Sequence, residues 1–261
     1  MKRTPILRLP ADTPCEVIEF ARDARIFDSS CSPEARVYYI EKENGFYLKR
    51  AAKGTLAREA EMTAYFHSKG IGAKVVSYLC DACDWLLTTR VAGEDCTFSK
   101  YLDDPKRLCD TIAERLRWLH SMEHLDCPVQ DRMKSYFTLA DEHYRTGEVD
   151  LSYYTNLYGE STVDEVYRIF AEGRDAFRSD TLLHGDYCLP NIMLDDWRFS
   201  GFIDLGNGGV GDRHVDLYWG AWTLCFNLGT DQYRSRFFDV YGRDLVDQDL
   251  LRIVAAAEVF G

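Results

Sequence analysis

The sequence predicts an α+β fold of two lobes: a small β-rich N-lobe over residues 1–91 and a larger, mainly helical C-lobe over residues 92–261. Three observations carry this reading. The first ninety residues run in short β-branched and aromatic stretches broken by turn signals. After Val91-Ala92-Gly93 the apolar spacing changes from alternation to the three-and-four pattern of helices. The chain has 261 residues, 46% hydrophobic and 28% charged, which suffices for a sizeable core but is ordinary for a globular protein.

Each element follows from local chemistry. Arg36-Val-Tyr-Tyr-Ile40 and Gly45-Phe-Tyr-Leu-Lys49 read as strands, with Asn44-Gly45 as a hairpin turn between them. From Gly54-Thr55 to about Lys69 a helix is expected, because Met62, Tyr65 and Phe66 share a face, and Gly70 stops it. It is the one helix expected in this lobe. Val75–Leu79 and Asp84–Thr89 are two more strands, and a short hinge lies near residues 88–93. Behind Pro105, a favourable first-turn residue, Leu108, Ile112, Leu116 and Leu119 recur at helical spacing. Further helices are expected at about 131–146 and 162–178. Asn191–Leu194 and Phe199–Ile203 read as strands around the turn Asp195-Asp196. The remainder, roughly 213–260, is expected to be helical, with breaks at Gly229 and Gly242.

Composition excludes several classes of function. No apolar run approaches the ~18 residues of a membrane span. The basic start, Met1-Lys2-Arg3, lacks the apolar core of a signal peptide, so no membrane association and a cytoplasmic location are expected. Nine scattered cysteines fit reduced, buried thiols better than a disulfide framework. Cys80-Asp81-Ala82-Cys83 has no second ligand pair with which to complete a zinc site. Acidic residues outnumber basic ones 43 to 31, for a net charge of −12, which disfavours nucleic acid as a partner. The same excess suits solubility, or an acidic cleft that collects a cationic small molecule.

The strongest chemical signal is His184-Gly-Asp-Tyr-Cys-Leu-Pro-Asn191. Phosphoryl transfer needs a carboxylate beside the attacking hydroxyl and oxygen ligands for the magnesium that neutralises the phosphates. Asp186 suits the first role and Asn191 the second, at the Asp-to-Asn spacing of the protein-kinase catalytic loop. Thirteen residues later, Phe202-Ile-Asp-Leu-Gly206 places Asp204 where a kinase holds its second metal-binding carboxylate. Lys49 on a strand and Glu59 on the following helix could form the phosphate-holding lysine–glutamate pair. Glu61 is an alternative, but it points about 200° away from Glu59. Tyr47 shares the Lys49 face of its strand, either to stack on a nucleobase or to pack in the core. No glycine-rich nucleotide loop of either the G-x-G-x-x-G or the G-x-x-x-x-G-K-[ST] kind is present. No activation loop follows Asp204, which points to a small-molecule substrate. The aromatic run Tyr218-Trp219-Gly-Ala-Trp222 reads as core helix rather than as a stacking platform, and His120, His124, His143 and His214 as ordinary helix residues.

Leu183-His-Gly-Asp-Tyr-Cys-Leu-Pro-Asn-Ile-Met193 together with Phe199-Ser-Gly-Phe-Ile-Asp-Leu-Gly206 resembles the aminoglycoside phosphotransferases, and among them the aminoglycoside 3′-phosphotransferases, whose fold is protein-kinase-like. Ser32-Pro-Glu-Ala-Arg-Val-Tyr38, Gly45–Lys49, Trp85–Gly93 and the terminal Ala257-Glu-Val-Phe260 extend the likeness over most of the chain. The resemblance implies ATP as donor, with GTP left open, and Mg²⁺ as cofactor. It implies Asp186 as catalytic base and Asn191 and Asp204 as metal ligands. Ser32, Tyr47, Lys49, Glu59, Thr89 and Val91 would face the nucleotide, and His184 and Asp216 would brace the catalytic loop.

For the acceptor the resemblance implies Glu258, Phe260, Asp150 and Glu160, with Glu148 and Asp164 in the same acidic segment. Three departures alter that picture: Asn207 stands where the family usually has arginine, Ala257 where an acid is common, and residues 151–158 are aromatic where carboxylates are expected. The expected function is therefore a kinase for a cationic aminoglycoside, working as a monomer or weak homodimer. A kinase of the same fold for another hydroxylated metabolite, and an inactive nucleotide-binding module, are the alternatives.

Overall fold

The computed structural model describes residues 3–31 and 35–261. The chain forms two compact units, Met1–Asp95 with Met193–Gly206, and Cys96–Ile192 with Asn207–Gly261. The first unit thus runs a few residues past the expected boundary at 91 and takes in a hairpin from late in the chain.

The first unit is built on a six-stranded sheet of β1 (Thr4–Ile6), β2 (Arg25–Asp28), β3 (Arg36–Glu41), β4 (Phe46–Ala52), β5 (Val75–Cys80) and β6 (Cys83–Thr89), in the order β1-β2-β3-β4-β6-β5 and antiparallel throughout. Strand alternation sorts the side chains. Tyr38, Ile40, Leu48, Trp85 and Leu87 face one way and pack with Leu9 and Val17. Ala51 and Leu86 face the other way, under Leu56 and Ala60. Val17 lies on α1 (Cys15–Phe20), a second helix where one was expected, and Ala60 on α2 (Ala57–Ser68). The residue before α2, Leu56, has no side chain able to cap it. Asp84 of β6 serves instead, accepting the N–H groups of Gly54 and Leu56 at 2.9 and 2.8 Å.

Glu94–Asp95 pairs with Ile192–Asp195, which turns into Arg198–Phe202 to make a three-stranded sheet. Asp196 and Trp197 both have positive φ, 49° and 68°, the turn geometry whose twist suits a two-residue hairpin. Phe202 anchors the hairpin: its N–H reaches the Ile71 carbonyl at 2.8 Å, and its ring packs on Phe66.

The second unit is helical, with α3 (Ser99–Leu102), α4 (Pro105–His120), α5 (Arg132–Thr146), α6 (Ser152–Tyr158), α7 (Val163–Gly173), α8 (His214–Leu228), α9 (Arg234–Gly242) and α10 (Gln248–Glu258). In α4, Leu108, Ile112, Leu116 and Leu119 are fully buried, and Asp104 accepts the Arg107 N–H at the helix start. The helix expected to reach 178 ends at Gly173 and continues only as a 3₁₀ turn. The aromatic run at 151–158, for which no element was expected, folds as α6. A two-stranded ribbon, Thr181–Leu183 against Gly209–Gly211, delivers the chain into the His184–Asn191 loop.

Among the described residues no helix is long and apolar enough to cross a membrane, and no disulfide joins the nine cysteines. The expectation of buried thiols holds for Cys83, Cys96, Cys109, Cys127 and Cys188. Cys15, Cys31 and Cys80 are exposed instead.

Candidate active site

The His184–Asn191 loop is held from beneath by a buried carboxylate. Asp216, at the start of α8 and fully buried, accepts the backbone N–H groups of His184 and Gly185 at 2.8 and 2.7 Å. His120 Nε2 lies 3.1 Å from the same carboxylate, and His120 Nδ1 lies 2.8 Å from the Tyr241 hydroxyl. Burial pushes the His120 pKa down, even against Asp216, so this histidine is a neutral link. Gly185 has φ of +83°, and a Cβ there would stand 1.8 Å from the Asn207 carbonyl oxygen, so only glycine fits. Tyr187 and Leu189 are fully buried; the Tyr187 hydroxyl donates to Ile112 O at 2.8 Å, and the Leu189 N–H donates to Thr223 Oγ1 at 3.1 Å.

These anchors leave Asp186 half-exposed between fixed neighbours. Its N–H donates to His184 Nδ1 at 3.3 Å, so His184 steadies the loop from within it. The Asn191 amide nitrogen donates to Asp186 Oδ2 at 2.8 Å and to Asp186 O at 3.0 Å. With both amide hydrogens so placed, the Asn191 oxygen is the atom left to ligate a cation.

In the first unit, Lys49 Nζ lies 2.7 Å from Glu59 Oε2 and 2.9 Å from Asp204 Oδ1. Burial alone would push the Lys49 pKa down, but Asp204 and Glu59 hold it above the ordinary lysine value. Burial pushes the Glu59 carboxyl up against the pull of Lys49. Glu59, not the exposed Glu61, is the lysine's partner. One ammonium between two carboxylates leaves a net negative group, open to solvent at Asp204, whose side chain is 51% exposed. Asp204 also adopts a left-handed backbone, φ +58°, which costs an L-residue roughly 1–2 kcal/mol and is commonest where function requires it.

Asn191 and Asp204 each offer an oxygen donor of the kind a hard cation such as Mg²⁺ takes, its shell completed by phosphate and water. Among the described residues no three His, Cys, Asp or Glu side chains gather as a self-sufficient metal site.

Other expected nucleotide residues fall less simply. Ser32 lies outside the described residues. Tyr47 is half-buried; its ring packs on Tyr39 at 5.3 Å, and its hydroxyl accepts from Arg3 at 2.8 Å. Thr89 pairs with Lys74 through both its N–H and its hydroxyl oxygen. Val91 packs with Ala73, Met193 and Ile203.

On the acceptor side Glu258 is buried, and its Oε1 accepts from the Tyr136 hydroxyl at 2.7 Å and from Trp219 Nε1 at 3.1 Å. Burial raises its pKa to about 7, and the negative charge of Asp186 adds to the rise. Phe260, expected beside the acceptor, is instead a core residue: fully buried, edge-on to Tyr144 and Tyr167 at 5.7 and 5.6 Å. Asp150 is exposed, caps α6 by accepting the Ser152 N–H at 2.9 Å, and donates its own N–H to the Val259 carbonyl. Glu160 is exposed in the connection between α6 and α7.

Sequence reasoning missed Arg132 and Tyr136. Arg132 is buried at the start of α5 and donates to Asn207 twice, Nε to the carbonyl oxygen at 2.8 Å and Nη2 to Oδ1 at 3.1 Å. The Asn207 departure thus comes with a guanidinium supplied by another element. An aspartate N-cap followed by arginine, Asp131-Arg132, was the only local signal for it. Trp219 and Trp222, expected in the core, are half-buried instead.

Comparison with known proteins bears on the family and the fold. The model of the phosphotransferase enzyme family matches residues 33–252. A protein of Lactococcus lactis subsp. lactis named "Probable aminoglycoside 3'-phosphotransferase" is 52% identical over 241 residues, covering 92% of this chain and 92% of that one. An aminoglycoside 3′-phosphotransferase of Niallia circulans is 29% identical over 231 residues, covering 86% and 87%. Among solved structures, an aminoglycoside-3′-phosphotransferase of type VIII shares the fold with a TM-score of 0.74 at 24% identity, covering 89% of this chain and 92% of that one. An aminoglycoside phosphotransferase from Streptomyces rimosus, in complex with ADP and streptomycin, does so with a TM-score of 0.72 at 22% identity, covering 86% and 90%. The chain belongs to the aminoglycoside phosphotransferase family and is a phosphotransferase with a hydroxyl group as acceptor.

Proposed function

We propose that this enzyme transfers the γ-phosphoryl group of ATP to the 3′-hydroxyl of an aminoglycoside, and so confers resistance to it. The observation that carries the reading is the Asp186 carboxylate, half-exposed in a loop whose other members are anchored, with Asn191 fixed against it. Asp186 orients the acceptor hydroxyl and takes its proton as the oxygen attacks phosphorus in line. Lys49, held by Glu59, binds the nucleotide phosphates. Asn191 Oδ1 and the Asp204 carboxylate would hold Mg²⁺, which when bound neutralises phosphate charge. Glu258, Asp150 and Glu160 present carboxylates to a polycationic acceptor. On this reading the enzyme works in the cytoplasm as a monomer or weak homodimer.

ADP release in the presence of ATP and Mg²⁺ tests this. Kanamycin-like acceptors should support turnover, and their 3′-deoxy analogues should not. Release only with amino alcohols or plain sugars would assign the enzyme to another hydroxylated acceptor. That second reading is favoured by the aromatic composition of α6, where carboxylates were expected. No release with any acceptor would reduce the chain to a nucleotide-binding module.

A further inference from the structure

Helix α8 buries one face and leaves an aromatic stripe on another. Tyr218, Ala221 and Leu224 are about 1% exposed, whereas Trp219 and Trp222 are half-buried and Phe226 is 70% exposed. Positions 219, 222 and 226 follow the three-and-four spacing of a single helix face and span about 10 Å along its axis. The rings are held by one another. Trp222 and Phe226 stack at 4.8 Å and 11°, and Trp219 meets Trp222 edge-on at 5.3 Å. Tyr153 of α6 packs on both tryptophans, at 5.7 and 5.9 Å. Its carbonyl accepts the Tyr218 hydroxyl at 2.9 Å, which ties α6 to α8.

We propose that Tyr153, Trp219, Trp222 and Phe226 form a stacking platform for the sugar rings of the acceptor, beginning beside Glu258 and running outward along α8. The inference rests on the acceptor reading given above and names the residues that select among its substrates.

One contact sets the inner end of the platform beside the carboxylate assigned above to the acceptor: Trp219 Nε1 donates to Glu258 at 3.1 Å, inside the second unit. A run of four aromatic rings that is half-buried at Tyr153, Trp219 and Trp222 and exposed at Phe226 leaves apolar surface in water that a ligand could cover. A pyranose or aminocyclitol ring has an apolar face of C–H groups that suits an aromatic plane. The ammonium groups of such a ring gain from the same rings by cation–π attraction. Carboxylates alone would bind any polycation. A platform about 10 Å long adds a requirement for flat, linked rings, which replaces the carboxylates missing from 151–158.

The experiment combines steady-state kinetics with tryptophan fluorescence on the full-length enzyme, comparing wild type with Trp222→Ala, Phe226→Ala, the double variant and Trp222→Phe. A kanamycin-like aminoglycoside titrated without nucleotide should quench wild-type fluorescence. The double variant should raise the acceptor KM roughly tenfold, the scale of one cation–π contact, with the KM for ATP unmoved and Trp222→Phe near wild type. An unchanged acceptor KM, with the quench retained, overturns the platform. An unchanged KM accompanied by loss of a dimer in light scattering also overturns it and assigns the face to a second copy of the chain. If wild type turns over no aminoglycoside, the acceptor reading fails by itself. The titration, repeated with neutral and amino sugars, still decides the platform: quenching lost in the double variant supports it, and no quenching by any sugar ends it.

Discussion

Asp186 owes its availability to the residues that fix its loop. Its loop neighbours are pinned by Asp216, by Tyr187 in the core and by the Gly185–Asn207 approach, so the carboxylate loses little freedom on binding. Asp186→Ala should lower turnover by at least ~10²-fold, the usual scale for a lost general base, with the KM for ATP little changed; near-normal turnover would remove the assignment. The Arg132 guanidinium holds Asn207 by both its carbonyl and its side-chain oxygen, and Asn207 in turn abuts Gly185. Arg132→Met should therefore reduce kcat by about tenfold, the effect of two lost charge-assisted hydrogen bonds on loop position. Arg132→Lys should rescue little, since an ammonium cannot reproduce the planar fork. A purely structural role would instead lower the melting temperature and leave the kcat of the folded fraction intact.

At the scale of elements, the proposed phosphate-binding group joins three of them: Lys49 from β4, Glu59 from α2 and Asp204 after the late hairpin. Glu59→Gln should raise the KM for ATP by roughly tenfold while leaving acceptor binding alone, because the lysine loses the partner that orients it; equal effects on both substrates would sink the idea. Much of this was legible. Asn44-Gly45, the Leu108–Leu119 repeat and the Asp186-to-Asn191 spacing are local signals, and local signals survive in a sequence. The Lys49–Glu59 pair was readable only beside Asp186 and Asp204, since a lysine on a strand and a glutamate on the next helix are not by themselves a site. What escaped is long-range. The outer strands β1 and β2 are short and partly exposed, with no run of alternation to reveal them. Phe260 and Trp219 could not be sorted into core and surface, because the rings or carboxylate that each meets come from elements 39 to 116 residues away. Arg132 makes its contacts 75 residues along the chain.

At the scale of the whole molecule, net charge and two buried groups set the response to pH. The chain carries −12, so rising pH adds self-repulsion to whatever single sites contribute. His120 has a pKa lowered by burial, so the unfolded chain binds its proton more readily and stability falls as pH drops below about 6.5. Glu258 works in the opposite sense. Its pKa is raised from 4.5 to about 7, so its contribution to stability is complete below pH 4.5 and is lost as pH rises through 7. Glu258→Gln removes that ionisation and leaves His120 and the overall charge almost untouched. The stability difference between variant and wild type should therefore shift toward the variant between pH 5 and pH 8, by about 2.5 kcal/mol at ~1.4 kcal/mol per unit. Denaturant titrations at both pH values measure it, and a difference that stays flat would show that Glu258 ionises as it would in water. The same ionisation should appear in function. If Glu258 receives the cationic acceptor as proposed, it does so in its charged form above pH 7, so the acceptor KM should fall as pH rises through that value in wild type and stay level in the glutamine variant. The enzyme would then accept a buried carboxylate that costs native stability at alkaline pH because, in that range, the same charge receives the substrate.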